Sequence, residues 1–197
     1  VGVKEGSEEH RRIIDVYNTL SPLPRGYRMR YGDSWCAASV TVAAMETDNA
    51  KVIPPECGCG EMKRYAKQRN IWAGPDYRPK LGDLILYSWN QDDWPDHIGI
   101  VINYDKNTDL IRTIEGNYKD QIKVREIVGG SGYINGYICL RSILLFAFAG
   151  VFLIYAALPM IGRLQERIPE KVFRAICLIP AVLFLVDIAG GYILRIW

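Results

Sequence analysis

The sequence predicts an α+β fold in which N-terminal helices pack on an antiparallel sheet, followed by a two-helix transmembrane hairpin. Three observations indicate this fold class. Apolar residues recur with helical spacing up to residue 80, short β-branched segments separated by turn residues follow, and residues 141–197 are almost wholly apolar. Helices first and strands afterwards are typical of an α+β domain with helices on one face of the sheet. We therefore predict two domains, residues 1–140 and residues 141–197.

The first predicted helix spans residues 7–20. Ser7 is a suitable N-cap, acidic residues fill the first turn, and apolar residues then recur on one helical face. His10 lies in the polar first turn, where a histidine titrates near neutrality without needing a partner. We therefore predict that His10 is a solvated surface residue.

A second helix is predicted to begin at Cys36, after a loop. Asp33 or Ser34 is predicted to cap its free amides, and a run of alanine and valine continues it. A thiol in the first turn lies at the positive end of the helix dipole, which favours the nucleophilic thiolate. Cys36 is therefore a candidate nucleophile.

The segment Cys57-Gly-Cys59-Gly follows a break at Pro54 and Pro55. Two thiols at this spacing are compatible with a metal clamp or a vicinal redox pair. A closed zinc site needs two further ligands, and none stands at a recognisable spacing. We favour the simpler interpretation, a tight glycine turn that leads into a helix over residues 61–69, and we predict no metal.

From residue 81 onwards the pattern predicts an antiparallel meander. Five short β-branched segments are separated by turn residues at hairpin spacing. They are residues 84–87, 98–104, 110–114, 122–128 and 133–138.

Charge and cysteine content limit the classes of function. The chain of 197 residues has a net charge of +2, and in residues 1–140 basic and acidic residues nearly balance. Without a basic surface field, nucleic acid is not an expected partner. Five cysteines spread over this length do not form a disulfide scaffold.

The C-terminal segment contains two apolar stretches, residues 142–162 and residues 172–194. The first has 21 residues without a charge, long enough to cross a bilayer core of about 30 Å as a helix. The turn between the stretches carries Arg163, Arg167 and Lys171. The positive-inside bias therefore predicts a cytoplasmic turn and both termini outside.

Four polar residues form a constellation typical of cysteine hydrolases. Cys36 opens a helix, His97 opens a predicted strand, and Glu115 follows 18 residues later, about the length of one hairpin. In a strand, Glu115 and Asn117 would point to the same face. Cys36 is the predicted nucleophile, His97 the base and Glu115 its orienter, with Asn117 polarising the site or sharing the orienting role.

The developing oxyanion also needs donors. The backbone amide of Cys36 is one candidate, and a polar neighbour, Asp33 or Ser34, is the other.

Four motifs closely resemble those of the CHAP family, the papain-like cysteine, histidine-dependent amidohydrolases and peptidases of phage lysins and bacterial wall enzymes. They occur in the family order and cover about residues 7–140. The motifs are Asp33-Ser-Trp-Cys-Ala-Ala38, Leu81-Gly-Asp-Leu-Ile-Leu86, Trp94-Pro-Asp-His-Ile-Gly-Ile-Val101 and Ile114-Glu-Gly-Asn117. The resemblance implies the same roles for Cys36, His97, Glu115 and Asn117, in a papain-like fold without a cofactor.

The same resemblance implies hydrolysis of a peptidoglycan amide bond, by an endopeptidase or an N-acetylmuramoyl-L-alanine amidase. The alternative is a membrane-tethered wall-binding or accessory module without turnover. Some family members carry an acidic calcium loop before the cysteine, whereas this chain has Arg28-Met-Arg-Tyr-Gly32, a poor site for a hard cation. We predict no structural calcium and wall lysis that survives chelators.

The tail resembles the C-terminal end of an ABC-transporter-type membrane protein of Firmicutes. The matching residues are Arg167-Ile-Pro-Glu-Lys171 and Phe184-Leu-Val-Asp187. Together with the charge bias, this predicts a membrane-anchored chain of phage or Firmicutes origin. Its hydrolase domain would lie on the cell-wall side, where the peptide substrate is.

Overall fold

The computed structural model describes residues 1–47 and 49–140. This part of the chain contains three α-helices and a short 3-10 helix, Pro24–Gly26. The α-helices are α1, Glu8–Tyr17; α2, Cys36–Glu46; and α3, Cys59–Gln68.

A six-stranded antiparallel sheet follows the helices. Its strands are β1, Trp72–Ala73; β2, Leu84–Tyr87; β3, His97–Asp105; β4, Leu110–Glu115; β5, Lys123–Val128; and β6, Ile134–Ile138. The strand order is β1-β6-β2-β3-β4-β5, and all neighbours pair antiparallel.

Helix α2 is the centre of the fold because apolar residues surround it. One side packs with Leu84, Leu86 and Ile98 of the sheet, and the other packs with Ile14 and Tyr17 of α1. The alanines of α2 allow both neighbours to approach closely, since a methyl side chain fills little space. The sheet thereby places the first residue of β3 close to the first residue of α2.

The sheet also carries a second apolar cluster, on the face that does not hold α2. Ile85 and Tyr87 of β2 alternate with Leu84 and Leu86, and they pack against Tyr137 of β6. Side chains of successive strand residues point to opposite faces, so all four residues of β2 are buried. The central strand is therefore fixed on both sides.

Most of the predicted elements are confirmed. The five predicted strands correspond to β2–β6 within one or two residues, and Ser7 caps α1 by accepting the N–H of His10 at 3.2 Å. Three details differ. Helix α1 ends at Tyr17 and not at residue 20, strand β1 is not among the predicted strands, and β6 pairs with β2 instead of continuing the meander beyond β5. Strand β6 returns to the centre because its apolar residues find buried partners there.

The prediction for His10 is wrong. Its side chain is fully buried, and its ring lies 4.8 Å from the ring of Trp35, centroid to centroid. The amide N–H of Gly6 donates to its Nδ1 at 3.1 Å. Burial is the main cause that lowers the pKa of His10, so the neutral ring is favoured. His10 is thus part of the core although Glu8 and Glu9 beside it are exposed, because its ring packs against Trp35.

The fold class also needs a correction, because no transmembrane hairpin is found among the described residues. In the part of the chain that the structure describes, no helix is long and apolar enough to cross a membrane. Helix α2, with 11 residues, spans only about 17 Å of a bilayer core of about 30 Å. The stretches 142–162 and 172–194, for which the hairpin was predicted, lie outside the described residues. The fold class of residues 1–47 and 49–140 is therefore α+β with an antiparallel sheet and three α-helices. The division into domains 1–140 and 141–197 stays a prediction.

Candidate active site

Cys36 is the first residue of α2 and is 4 % exposed. The expected cap is absent: Trp35 holds the N-cap position without a side-chain hydrogen bond. Asp33 instead closes the preceding turn, where it accepts the hydroxyl of Tyr27 and the N–H of Arg30, both at 2.8 Å. As the first helical residue, Cys36 has no acceptor for its own N–H within the helix. The free helix terminus is therefore available to the site.

His97 opens β3 and lies beside Glu115, the last residue of β4. Its Nε2 is 2.9 Å from Oε2 of Glu115, and both side chains are buried. Strands β3 and β4 pair antiparallel, as the spacing predicted. Because Nε2 faces the carboxylate, Nδ1 is the ring nitrogen left for the Cys36 sulfur, and His97 lowers the pKa of that thiol.

Glu115 is held by a ring of donors. The hydroxyls of Tyr87 and Thr113 donate to Oε1 at 2.7 and 2.6 Å. Nε of Arg125 lies 3.0 Å from Oε1 and 2.9 Å from Oε2. Burial raises the pKa of Glu115, but the hydrogen bonds from His97, Thr113 and Tyr87 outweigh it and the pKa is lowered. Glu115 is therefore held as a carboxylate with a fixed orientation.

The pKa values of the nucleophile and the base move in opposite directions. The hydrogen bond from the thiol of Cys59 lowers the pKa of Cys36 most, and the interaction with His97 adds to it against the effect of burial. Burial lowers the pKa of His97, but Cys36 and Glu115 outweigh it and raise this pKa to about 9. The site thus favours a thiolate beside an imidazolium.

Cys59 is the unexpected member of this site. It is the first residue of α3, and its sulfur lies 3.6 Å from that of Cys36. The glycine turn leading into a helix is confirmed, but the helix begins at Cys59 and not at residue 61. Cys59, which forms one sequence motif with Cys57, therefore contacts the predicted nucleophile Cys36 instead.

A cavity of about 300 Å³ adjoins the two sulfurs. Trp94 lies at its edge over Gly60, where an added Cβ would be 2.0 Å from Cζ2 of the indole ring. Ser34 and Asp96 also line the cavity. It is large enough to hold a few residues of a peptide beside the Cys36 sulfur.

The other predicted site residues are not all brought together. Strand β4 ends at Glu115, so Asn117 lies in the following turn with φ +58° and not on the same face of a strand. Its side chain has no hydrogen-bond partner among residues 1–47 and 49–140. Of the two oxyanion candidates, Ser34 is exposed and lines the cavity of Cys36, whereas Asp33 is an acceptor in its own turn.

Three residues that the sequence did not indicate hold the carboxylate of Glu115: Tyr87, Thr113 and Arg125. Thr113 had a usable signal, because it precedes Glu115 by two positions on one strand. The spacing gave no signal for Arg125, because this residue lies on β5 and comes close to Glu115 only through the pairing of β4 with β5.

No metal centre accompanies the site within the described residues. No group of three or more His, Cys, Asp or Glu there could hold a metal ion. The absence of a cofactor and of calcium stays a prediction.

Comparison with known protein families identifies two segments. Residues 26–117 match the CHAP domain, and residues 130–191 match the family described as Putative ABC-transporter type IV. No curated protein matches the chain. The CHAP match indicates a peptidoglycan-hydrolase-type amidase or peptidase that depends on cysteine and histidine. Both resemblances are therefore confirmed: residues 26–117 are similar to the CHAP domain, and residues 130–191 are similar to the ABC-transporter-type family.

Proposed function

We propose that residues 1–140 hydrolyse an amide bond of bacterial peptidoglycan with Cys36 as the nucleophile. One observation carries this proposal: Nε2 of His97 lies 2.9 Å from the buried carboxylate of Glu115. His97 is also among the groups that lower the pKa of the Cys36 thiol. The base therefore lies between the nucleophile and the orienter, which is the arrangement that cysteine catalysis requires.

In the first step, the Cys36 thiolate attacks the carbonyl carbon of the amide, and the carbonyl oxygen becomes an oxyanion. The N–H of Cys36, at the free start of α2, is the main candidate donor to this oxygen. Ser34 is the second, because its side chain lines the same cavity. Asp33 is left out, since it is an acceptor whose pKa is lowered by the Arg30 N–H and Tyr27.

In the second step, the imidazolium of His97 protonates the leaving amine, and the C–N bond breaks. The acyl group is then a thioester on Cys36. Neutral His97 takes a proton from a water molecule, which attacks the thioester and releases the carboxylic acid and the thiolate. Each proton moves through the ring nitrogen that faces Cys36, while Nε2 stays with Glu115.

Glu115 acts through His97 in this mechanism. Its carboxylate holds the ring in one tautomer and stabilises the imidazolium that forms in each cycle. Asn117 has no assigned step, because its side chain makes no hydrogen bond within the described residues. Its predicted role is tested by Asn117→Ala.

The substrate class follows from the CHAP match and the cavity. The cavity of about 300 Å³ at the sulfur suits a short peptide segment, as in a stem or cross-bridge peptide, or the muramic acid–L-alanine junction. The match of residues 130–191 supports an association of the chain with a membrane. The predicted wall-side orientation and the phage or Firmicutes origin stay predictions.

A zymogram on Gram-positive cell walls tests the function. The protein should clear the walls, whereas Cys36→Ala and His97→Ala should lose clearing by at least about a thousandfold. Cys139→Ala is the matched control, since Cys139 is a buried cysteine of the other apolar cluster and should leave clearing intact. Equal clearing by Cys36→Ala would contradict the proposal, and wall binding without clearing by any variant would favour the accessory module.

A further inference from the structure

Of the two neighbouring sulfurs of Cys36 and Cys59, only that of Cys36 is used as the nucleophile in hydrolysis. They lie 3.6 Å apart, with the residues 4 % and 8 % exposed. Each residue is the first of its helix, α2 or α3, and both thiols are free in the structure. A cysteine hydrolase needs one thiolate, so the second thiol calls for its own explanation.

The two thiols differ in ionisation. The pKa of Cys36 is lowered, first by the hydrogen bond from Cys59 and further by His97. The pKa of Cys59 is raised, first by its hydrogen bond to Cys36 and further by burial and the nearby charge of Cys36. The pair therefore holds one proton between two sulfurs, with the thiolate on Cys36. A reactive thiolate beside a protonated thiol is the arrangement in which oxidation yields a disulfide.

We propose that Cys36 and Cys59 are a reversible oxidation site, at which a hydroperoxide converts the nucleophile and its neighbour into a disulfide. The disulfide removes the thiolate and switches off hydrolysis, and a thiol reductant restores it. This inference concerns the site of the proposed function, but the oxidation itself does not depend on it.

The reaction balances in two steps. The Cys36 thiolate attacks one oxygen of the hydroperoxide and the O–O bond breaks, which gives a sulfenic acid on Cys36 and, after protonation, an alcohol or water. The Cys59 sulfur then attacks the sulfenic sulfur, and the S–O bond breaks as the thiol proton and the hydroxyl leave as water. Two electrons pass from the two sulfurs to the peroxide. A dithiol returns them by thiol–disulfide exchange.

The geometry allows this bond with a small movement. The sulfurs need to approach from 3.6 Å to about 2.05 Å. Both residues also line the cavity of about 300 Å³, which gives a small peroxide a route to the Cys36 sulfur.

The other cysteines of the described chain have different surroundings. Cys57 lies beside the Arg25–Glu56 ion pair, with the guanidinium nitrogen 3.7 Å from its sulfur. Cys139 packs in the apolar cluster on the other face of the sheet. The Cys-Gly-Cys motif is therefore not the redox pair, because Cys59 faces Cys36.

The pair also protects the nucleophile. A sulfenic acid without a neighbouring thiol is oxidised further to sulfinic acid, which ordinary thiols do not reduce. With Cys59 in contact, the disulfide forms first. Cys59 thus makes the loss of activity on oxidation reversible, where it would otherwise be irreversible.

Peptide mapping of the full chain tests the proposal directly. The reduced protein is treated with equimolar hydrogen peroxide, blocked with N-ethylmaleimide and digested with trypsin. We expect the peptide of Cys36 cross-linked to the peptide of Cys59, about 2 Da lighter than the two together, and its loss after dithiothreitol. Because Cys57 and Cys59 share the peptide between Lys51 and Lys63, the mapping is repeated with Cys57→Ser, which should keep the cross-link.

Cys59→Ser gives the decisive contrast, with Cys59→Ala as a second variant if circular dichroism shows a folding defect. Peroxide should add about two oxygen atoms to Cys36 of this variant, and dithiothreitol should not restore wall clearing. In the wild type, dithiothreitol should restore wall clearing to within about twofold of the clearing before peroxide treatment. A wild type whose Cys36 is oxidised without the cross-link, or a cross-link lost in Cys57→Ser, would overturn the inference. A cross-link in a protein that clears no walls would overturn only the proposed function.

Discussion

Gly99 of β3 leaves the space that the side chain of Glu115 occupies. An added Cβ at Gly99 would lie 2.6 Å from Cγ of Glu115 and 3.2 Å from its carboxyl carbon. Real side chains do not tolerate such a distance, so either the carboxylate or the strand would have to move. The glycine of the His97-Ile-Gly99 segment thus determines where the orienter of the histidine can lie.

Gly99→Ala should therefore impair catalysis more than folding. We expect kcat/KM for wall peptides to fall by about 10- to 100-fold, because His97 loses its fixed partner. Gly74→Ala is the matched control, since nothing lies within 4 Å of its Cβ position. Unchanged kinetics in Gly99→Ala would mean that the position of Glu115 is not critical.

Arg125→Ala should destabilise the domain at neutral pH. Arg125 donates to both oxygens of buried Glu115, and its side chain is only 18 % exposed. Its loss removes one of the cations beside a buried carboxylate, which costs about 3 kcal/mol in the free energy of unfolding by urea. The exposed pair of Arg112 and Glu126 supplies the control, Arg112→Ala, with a cost below about 1 kcal/mol.

The sign of the pH dependence follows from Glu115. Its pKa is lowered in the folded state, so its contribution to stability is present above the unfolded value and is lost as pH falls through the folded value. The deficit of Arg125→Ala should therefore shrink towards acidic pH. A deficit that is independent of pH would indicate lost packing with Tyr118 rather than lost charge.

Alkylation with iodoacetamide should reveal the ionisation of Cys36. Its lowered pKa predicts rapid labelling in mildly acidic solution, whereas burial raises the pKa of Cys57 and delays its labelling to alkaline pH. Hydrolysis should decline as pH rises through about 9, where His97 loses the proton that the leaving amine needs. Equal labelling of both thiols at every pH would contradict the thiolate assignment.

The sequence predicted the elements well because their signals are local. Period-two β-branched segments yield β2–β6, and the spacing between His97 and Glu115 correctly indicates adjacent strands. The match of residues 26–117 to the CHAP domain agrees with the motifs. Contacts that depend only on the spacing of residues within one strand or one hairpin could therefore be predicted from the sequence.

The wrong predictions concern residues whose burial or contacts depend on an element from elsewhere in the chain. His10 is buried because Trp35 packs on it, and Cys59 contacts Cys36 because α2 and α3 begin side by side. Asn117 leaves the strand because a turn with positive φ starts after Glu115. None of these contacts has a period or spacing that the sequence displays.

The cavity beside the sulfurs yields the last prediction, because Trp94 depends on the absence of a side chain at Gly60. The indole ring is more than half exposed, yet it lies so close to Gly60 that a methyl group would overlap it. Gly60→Ala should therefore displace the ring, and Trp94→Ala should remove it. If Trp94 holds the bound peptide, both variants should raise KM by about tenfold and change kcat by less than about threefold, since the ring contributes to binding and not to proton transfer. Gly32→Ala, whose Cβ position is open and which does not line this cavity, is the control for a glycine change elsewhere. A fall in kcat at unchanged KM would instead place Trp94 among the groups that position Cys36, and the two variants would then also alter the labelling rate of Cys36 by iodoacetamide.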